Sequence, residues 1–284
     1  MELHHSLMLK LSYGTQFYFI TPFGLFRVPK PKHSFLKYVH PKQIMEINTL
    51  PLPQYFKDYY AKYSFLNPIQ EKSVNAGLLN QKSLLICAPT ASGKTFVASM
   101  AIVNTIGKYG DDENDSYGEN SSNNSNNTPI KGKAIYLVPL KALANEKYKE
   151  YQRLLENSEY KVNMATGDVD SDSSHLSKYD LLILTTEKLD SLLRHRTPWI
   201  KDVKLVVVDE IHLLNDPTRG PTLEILLTLL KTIIKPQIIG LSATIGNPKE
   251  LATWLEADLV QDSWRPVELK HGIYDGNTTE FYDN

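Results

Sequence analysis

Two short stretches carry residue types that could act on a phosphate ester together. The first runs Ala88, Pro89, Thr90, Ala91, Ser92, Gly93, Lys94, Thr95. It follows a short apolar run at 83–87 and precedes an apolar helical pattern at 96–106, the strand–loop–helix context of a phosphate-cradling loop. Gly93 lets backbone N–H groups turn toward phosphate oxygens without a Cβ in the way. Lys94 offers a point charge to the β- and γ-phosphates, and the Thr95 hydroxyl can ligate Mg²⁺. The helix that follows adds unpaired N–H donors and a favourable dipole. The common form of the loop opens with glycine, and here that position is Ala88. The second stretch, Val206-Val-Val-Asp-Glu-Ile-His212, sets two carboxylates at the end of an apolar strand. Asp209 is suited to hold the Mg²⁺ shell, and Glu210 to orient or polarise an attacking water. His212 has no metal-ligand companion at useful spacing, so zinc is a poor reading. A Ser-Gly-Lys-Thr tetrapeptide, or an Asp-Glu pair capping a strand, is by itself unremarkable. Each gains meaning from the other and from its flanking elements.

Those elements must deliver both stretches to one place. Apolar runs at 83–87, 134–138, 162–165, 181–185, 205–208 and 238–242 read as short strands, mostly bare of charge as strands covered on both faces should be. Helical patterns fall between them, so the fold class is α/β, a mostly parallel sheet with helices on both faces. Leu140, Leu143, Ala144, Tyr148, Tyr151 and Leu155 mark the inward side of one helix. Leu189, Leu192 and Leu193 mark another. Pro248 opens a third, with Asn247 as its expected cap and Leu251, Trp254 and Leu255 facing in. In such sheets, ligands bind outside the carboxyl ends of the strands, which is where both stretches fall.

The remainder of the chain bounds the possibilities. No run approaches the roughly 18 apolar residues of a membrane span, and the first twenty residues lack a compact apolar core and a cleavage site. One cysteine, Cys87, excludes an intrachain disulfide and fits a reducing, cytoplasmic setting. The net charge is -1, so nucleic acid would have to be held by local groups rather than by an overall basic field. Residues 1–44 show no clean period and read as an extension of uncertain status; 45–270 form the α/β domain. The tract at 109–128, rich in Asn and Ser, offers too little apolar surface to order and reads as a disordered insertion.

Further motifs now give a family resemblance. Asp-Glu-Ile-His at 209–212 resembles the DExH box of superfamily 2 helicases, and the loop at 88–95 resembles their first motif. Ser242, Ala243 and Thr244 look like the motif that couples hydrolysis to nucleic-acid binding. Val138-Pro-Leu-Lys-Ala-Leu-Ala144, with Pro139 and Lys141, resembles the strand-contacting motifs of the first lobe. So do Thr166-Gly167-Asp168 and Thr185-Thr-Glu-Lys188-Leu189. Leu50-Pro-Leu-Pro53, Leu66-Asn-Pro-Ile-Gln70, Gly246-Asn-Pro-Lys-Glu-Leu-Ala252 and Ser263-Trp-Arg-Pro-Val-Glu-Leu269 look like the Ski-like branch, especially archaeal fork-repair DNA helicases related to the polymerase-theta helicase domain. The resemblance covers residues 45–274. It implies a RecA-like lobe using ATP and Mg²⁺, with His212 in the catalytic box, Gln70 reading adenine, and single-stranded or branched DNA tracked 3′ to 5′. Lys141 and Lys188 are candidates for salt-dependent phosphate contacts.

The resemblance also implies a second lobe carrying arginine fingers, and Arg194, Arg196 and Arg219 all fall in the first lobe. The chain is therefore expected to be a truncated motor or one half of a split one, with 271–284 beginning a connection and a separate second-lobe chain as a partner. Two other readings stand beside this one: a Ski-like RNA helicase lobe, and a nucleotide-dependent binding module without turnover. DNA against RNA competition separates the first, and turnover with and without DNA the second. Since the resemblance begins at Met45, a chain starting there is expected to keep its melting temperature within a few degrees. A large loss would show that residues 1–44 support the fold.

Overall fold

The computed structural model describes residues 45–108, 132–167 and 173–266, together with backbone strands on either side of them. The polar tract at 109–128 and Asp168 lie outside the described residues. The chain divides into two compact units, Met1–Ile44 and Met45–Asn284. In the first, β1 (Leu9–Tyr13), β2 (Gln16–Thr21) and β3 (Gly24–Val28) form an antiparallel meander in that order. The sequence shows no amphipathic period there, and pairing rather than patterning defines these strands.

The second unit is built on seven strands: β4 (Leu84–Cys87), β5 (Lys133–Val138), β6 (Val162–Ala165), β7 (Leu181–Thr185), β8 (Val203–Val208), β9 (Gln237–Ser242) and β10 (Asp258–Gln261). Their order is β10-β4-β9-β8-β5-β7-β6, and every neighbouring pair is parallel. Six of the seven are the expected strands, within two residues at their ends. The seventh, β10, has one buried residue, Val260, between exposed Asp258 and Gln261, so it lacks the apolar run of a central strand. At the far end of the unit, in the stretch expected to begin a connection, β11 (His271–Tyr274) and β12 (Thr279–Tyr282) pair antiparallel.

The helices are α1 (Gln54–Tyr59), α2 (Pro68–Asn75), α3 (Lys94–Lys108), α4 (Lys141–Leu154), α5 (Thr186–Arg194), α6 (Gly220–Ile233) and α7 (Pro248–Leu255). Two apolar clusters sandwich the sheet, and the period of a strand assigns residues to them. Leu84, Ile86, Tyr136 and Val138 pack under α1 to α4, while Leu85, Cys87, Ile135 and Leu137 pack under α5 to α7. Every residue of β4, β5, β7 and β9 is buried. Each Leu or Ile so placed contributes about 1.5–3 kcal/mol relative to exposure.

Two local expectations need correction. Of the expected inward stripe, Leu143, Ala144, Tyr148, Tyr151 and Leu155 do pack on the core, but Leu140 is 45% exposed at the N-cap of α4, and Lys147 and Leu154 join the buried face. A lysine is buried where apolar patterning looks for a leucine. Asn247 does stand at the N-cap of α7, but its side chain makes no cap bond. It donates instead to Glu250 Oε2 at 3.2 Å.

At the entry to α6 the backbone of Leu214 closes directly over Gly220. A Cβ on Gly220 would overlap the Leu214 carbonyl oxygen, whereas one on Gly246 would meet nothing within 4 Å. Gly220→Ala is expected to cost about 1–3 kcal/mol, the range for overpacking, and to lower the melting temperature by several degrees. Gly246→Ala should leave it unchanged. Equal melting curves for the two variants would count against the packing described.

Candidate nucleotide site

Because the sheet is parallel, β4, β9 and β8 end side by side, and the loops after them meet. The Ala88 N–H donates to the Ser242 carbonyl at 3.2 Å, tying the start of the phosphate loop to the end of β9. The Asp209 N–H continues the ladder onto the Leu137 carbonyl at 2.9 Å, which fixes the carboxylate at the edge of β8. Within the loop, Ala91 and Gly93 adopt left-handed φ of +61° and +88°. Thr90 and Ala91 are exposed at its tip, Pro89 and Ser92 buried at its base.

Gly93 is required twice over. Its φ suits glycine, and a Cβ there would stand 2.6 Å from Gln70 Nε2 and 2.7 Å from Asn67 Nδ2. Those two side chains belong to the N-terminus of α2, where a capping box orders them. Asn67 Oδ1 accepts from the Gln70 N–H at 3.2 Å, and Gln70 Oε1 accepts from the Asn67 N–H at 2.9 Å. With both caps satisfied, Asn67 Nδ2 is left to donate to the Ser92 carbonyl at 2.9 Å, and Gln70 Nε2 reaches the Gly93 carbonyl at 3.5 Å. Gln70 thus joins the loop from a separate helix. Asn67 was missed as a site residue, although its box of Asn, Pro and Gln at the right spacing is legible.

Lys94, the first residue of α3, folds its ammonium back onto the Ala88 and Pro89 carbonyls, at 2.6 and 2.9 Å. Burial holds its pKa below the ordinary lysine value, opposed by the Glu210 and then the Asp209 carboxylate. Arg265 adds to the lowering, a nearby cation that sequence motifs alone did not assign to this site. The Thr95 hydroxyl accepts from Lys147 Nζ at 3.2 Å. Asp209 Oδ2 accepts from the Tyr136 hydroxyl at 2.9 Å, and Asp209 Oδ1 from the Glu210 N–H at 3.0 Å. Tyr136 is pushed well above the usual tyrosine range by burial and by that carboxylate. His212 Nδ1 lies 3.3 Å from Glu210 Oε2, within ion-pair reach when protonated but without hydrogen-bond alignment. Among the described residues no group of three or more His, Cys, Asp and Glu could hold a metal ion. Any divalent ion here would need a hydroxyl and solvent or phosphate oxygens to complete its shell, as Mg²⁺ does.

Two observations bear on whether a triphosphate and Mg²⁺ fit. The Ser92 hydroxyl is buried at 1% exposure with no hydrogen-bond partner, and Gly93 turns the loop through a left-handed φ of +88°. Both are what an anion-cradling loop needs, so the donor set fits the group.

The residues read as contacting nucleic acid lie further along the same sheet edge, after β5, β6 and β7. Lys141, exposed at the start of α4, brings Nζ to 3.6 Å from the Cβ position of Gly167; Thr166 sits beside it. Pro139 lines a cleft with Thr186, Glu187, Asp209, Thr218 and Arg219. Thr185 and Lys188 depart from expectation. Both are buried, at 2% and 6%, and Lys188 is already engaged within the protein. A lysine on the inward side of α5 is not placed to meet a phosphate in solvent. Ser242 is fully buried, Ala243 half-buried and Thr244 exposed, so only the last faces outward.

Residues 67–251 match the model of the DEAD/DEAH box helicases. The chain belongs to that family. Within it, the chain is 52% identical over 217 residues to the ATP-dependent DNA helicase Hel308 of Methanocaldococcus jannaschii, covering 76% of this chain and 17% of that protein. It is 45% identical over 247 residues to Hel308 of Pyrococcus horikoshii, covering 84% of this chain and 31% of that one. The chain therefore spans less than a third of the length of these relatives. The crystal structure of the DUF1998 helicase MrfA bound to DNA shares the fold, with a TM-score of 0.60 at 24% identity over 75% of this chain and 30% of that one. No helix among the described residues is long and apolar enough to cross a membrane.

For this DEAD/DEAH box lobe, Lys94→Ala should abolish nucleotide binding in Mg²⁺ while leaving the melting temperature within a few degrees, because the side chain lies in the loop and not in either apolar cluster. Isothermal titration with ATP against the unaltered chain tests this. Equal affinities would remove Lys94 from the site.

Proposed function

We propose that the chain is the ATP-binding lobe of an ATP-dependent DNA helicase that tracks single-stranded or branched DNA from 3′ to 5′ in fork or recombination repair. The observation that carries this reading is the single sheet edge shared by two sets of groups. The loop at 88–95 and Asp209 lie at one end of it, and Lys141 beside Gly167 lies at the other. The relatives named as DNA helicases support DNA as the substrate.

In this reading Gln70 meets the adenine and the backbone of residues 89–93 binds the phosphates. Lys94 turns from the Ala88 and Pro89 carbonyls to the β- and γ-phosphates. Thr95 and Asp209 would hold Mg²⁺. Bound Mg·ATP supplies a γ-phosphoryl group whose transfer to water is made easier by charge neutralisation. Glu210, with 39% of its side chain exposed, orients that water and takes its proton, and His212 restrains Glu210 through their 3.3 Å contact. Ser242 transmits changes at the loop through its bond to Ala88, and Thr244 presents them at the surface.

Stepping along a strand needs two bodies whose separation changes with nucleotide state, and the nucleotide-site residues all lie in the one compact unit Met45–Asn284. An arginine finger from a second lobe would be worth roughly 10³–10⁵ in rate. The 284-residue chain is therefore expected to bind ATP, to hydrolyse it slowly and not to separate strands by itself. Asp209→Asn should weaken Mg²⁺ dependence, whereas Glu210→Gln should slow hydrolysis about 10²-fold or more with nucleotide still bound. The assay is ATP turnover with DNA or RNA competitors, and strand displacement on a forked duplex with and without a second-lobe protein. Stimulation by RNA alone would move the reading to an RNA helicase. Robust Lys94-dependent unwinding by the monomer would overturn the one-lobe account.

A further inference from the structure

The buried lysine on α4 has no place in the site as the motifs draw it. Lys147 is 7% exposed and is held by three neighbours. Its Nζ lies 3.2 Å from Thr95 Oγ1 and 2.9 Å from Glu150 Oε2, and 5.8 Å from the centroid of the Tyr136 ring. Tyr136 in turn donates to Asp209 Oδ2 at 2.9 Å. One side chain therefore touches one of the two Mg²⁺-side groups directly and packs against the residue that bonds the other. Behind it lies a chain of buried hydroxyls: Tyr60 donates to Ser99 at 3.3 Å, and Ser99 meets both Tyr151 Oη at 3.2 Å and the Thr95 carbonyl at 3.0 Å. The rings of Tyr136 and Tyr151 stand 5.6 Å apart.

Packing alone does not call for a lysine here. A buried ion pair is weak support for stability, since an apolar replacement of similar volume is commonly neutral or better. Methionine would fill the same channel beside Tyr136 and Tyr151. What lysine supplies and methionine cannot is a donor to the Thr95 hydroxyl. A donor on one lone pair of Oγ1 leaves the other to face the phosphate loop, in a fixed rotamer.

We propose that Lys147 is a positioning residue of the nucleotide site, setting the Thr95 hydroxyl and, through Tyr136, the Asp209 carboxylate, and thereby making α4 the link between that site and bound nucleic acid. The link follows from helix geometry. Lys141, beside Gly167, and Lys147 lie on one 14-residue helix, about 9 Å apart along a rigid axis. A displacement of the Lys141 end by a bound strand is delivered to Thr95 and Asp209 without passing through Ser242–Thr244. This inference rests on the reading of the loop as a Mg·ATP site and of Lys141 as a nucleic-acid contact.

The test measures the affinity of a fluorescent ATP analogue in Mg²⁺ and in EDTA, with and without oligo-dT, for the full chain and for Lys147→Met and Tyr136→Phe. Lys94→Ala serves as the site control, and melting temperature reports the fold. Lys147→Met is expected to lower affinity about tenfold in Mg²⁺ and less than twofold in EDTA, with melting little changed. Tyr136→Phe, which keeps the ring and removes only the bond to Asp209, should show the same split at about half the size on a logarithmic scale. Oligo-dT should shift the Mg²⁺ affinity of the unaltered chain several-fold and that of Lys147→Met less than twofold. An equal loss in Mg²⁺ and EDTA, or no loss, overturns the positioning role. An equal response to oligo-dT in both proteins, or none in either, overturns the link. Unchanged binding by Lys94→Ala would instead bring down the site reading itself, and the inference with it.

Discussion

A parallel sheet ends all its strands at one edge, and everything that could do chemistry in this chain depends on that constraint. The order β10-β4-β9-β8-β5-β7-β6 puts the ends of β4, β9 and β8 in contact, so a loop, a carboxylate pair and the Ser-Ala-Thr segment meet although they are far apart in sequence. The same edge continues past β5 to β7 and β6, where the groups read as contacting nucleic acid emerge. Both faces of the sheet are covered, by α1 to α4 on one side and α5 to α7 on the other. The edge is therefore where polar side chains can accumulate without loss of core.

The two faces differ in how they serve the edge. On the α5–α7 side the cluster beneath it is mostly apolar, with Lys188 and Thr185 buried beside it. On the α3–α4 side a seam of Tyr60, Ser99, Tyr151, Tyr136 and Lys147 runs under the phosphate loop. Partly satisfied polar seams are costly, and fully satisfied ones rigidify. In this one the Tyr136 hydroxyl donates to the Asp209 carboxylate and the Lys147 ammonium to that of Glu150. Burial and those acidic neighbours raise the Tyr136 and Tyr151 hydroxyls well above the ordinary phenol value, so both remain donors and acceptors rather than anions.

Much of this was legible in the sequence, and the exceptions share a cause. Strands β4 to β9 were readable because central parallel strands are unbroken apolar runs, and the loop and acidic motifs because their spacing is set by phosphate chemistry. The edge strand β10 was not, since Asp258 and Gln261 face solvent and leave it no run. Lys147, Lys188 and Tyr136 escaped for a related reason. Patterning assigns charged residues outward and apolar ones inward, and it is blind to a lysine whose long stem and ammonium are taken up inside. Asn67 is different: its capping box was visible, but that the cap also grips Ser92 is a fact of tertiary packing.

The two adjacent carboxylates of the site are held by unlike means, and magnitudes show why both arrangements persist. Asp209 is an extension of β8, bonded to β5 through its N–H and through Tyr136. One residue on, Glu210 has a left-handed backbone, φ 50° and ψ 44°, at a cost of about 1–3 kcal/mol for a side chain with a Cβ. The next residue, Ile211, is completely buried, contributing about 1.5–3 kcal/mol. The gain is available because β9 carries Gly240 at that point. A Cβ there would stand 3.0 Å from Ile211 Cδ1 and 3.1 Å from Leu85 Cδ1. The reversal at Glu210 drops Ile211 into this gap, and the two terms are of one size, so the turn is sustained by the residue it buries. Asp209 is thereby locked while Glu210 remains partly open to solvent, the arrangement a site needs when one carboxylate fixes a cation and the other must exchange a proton with water.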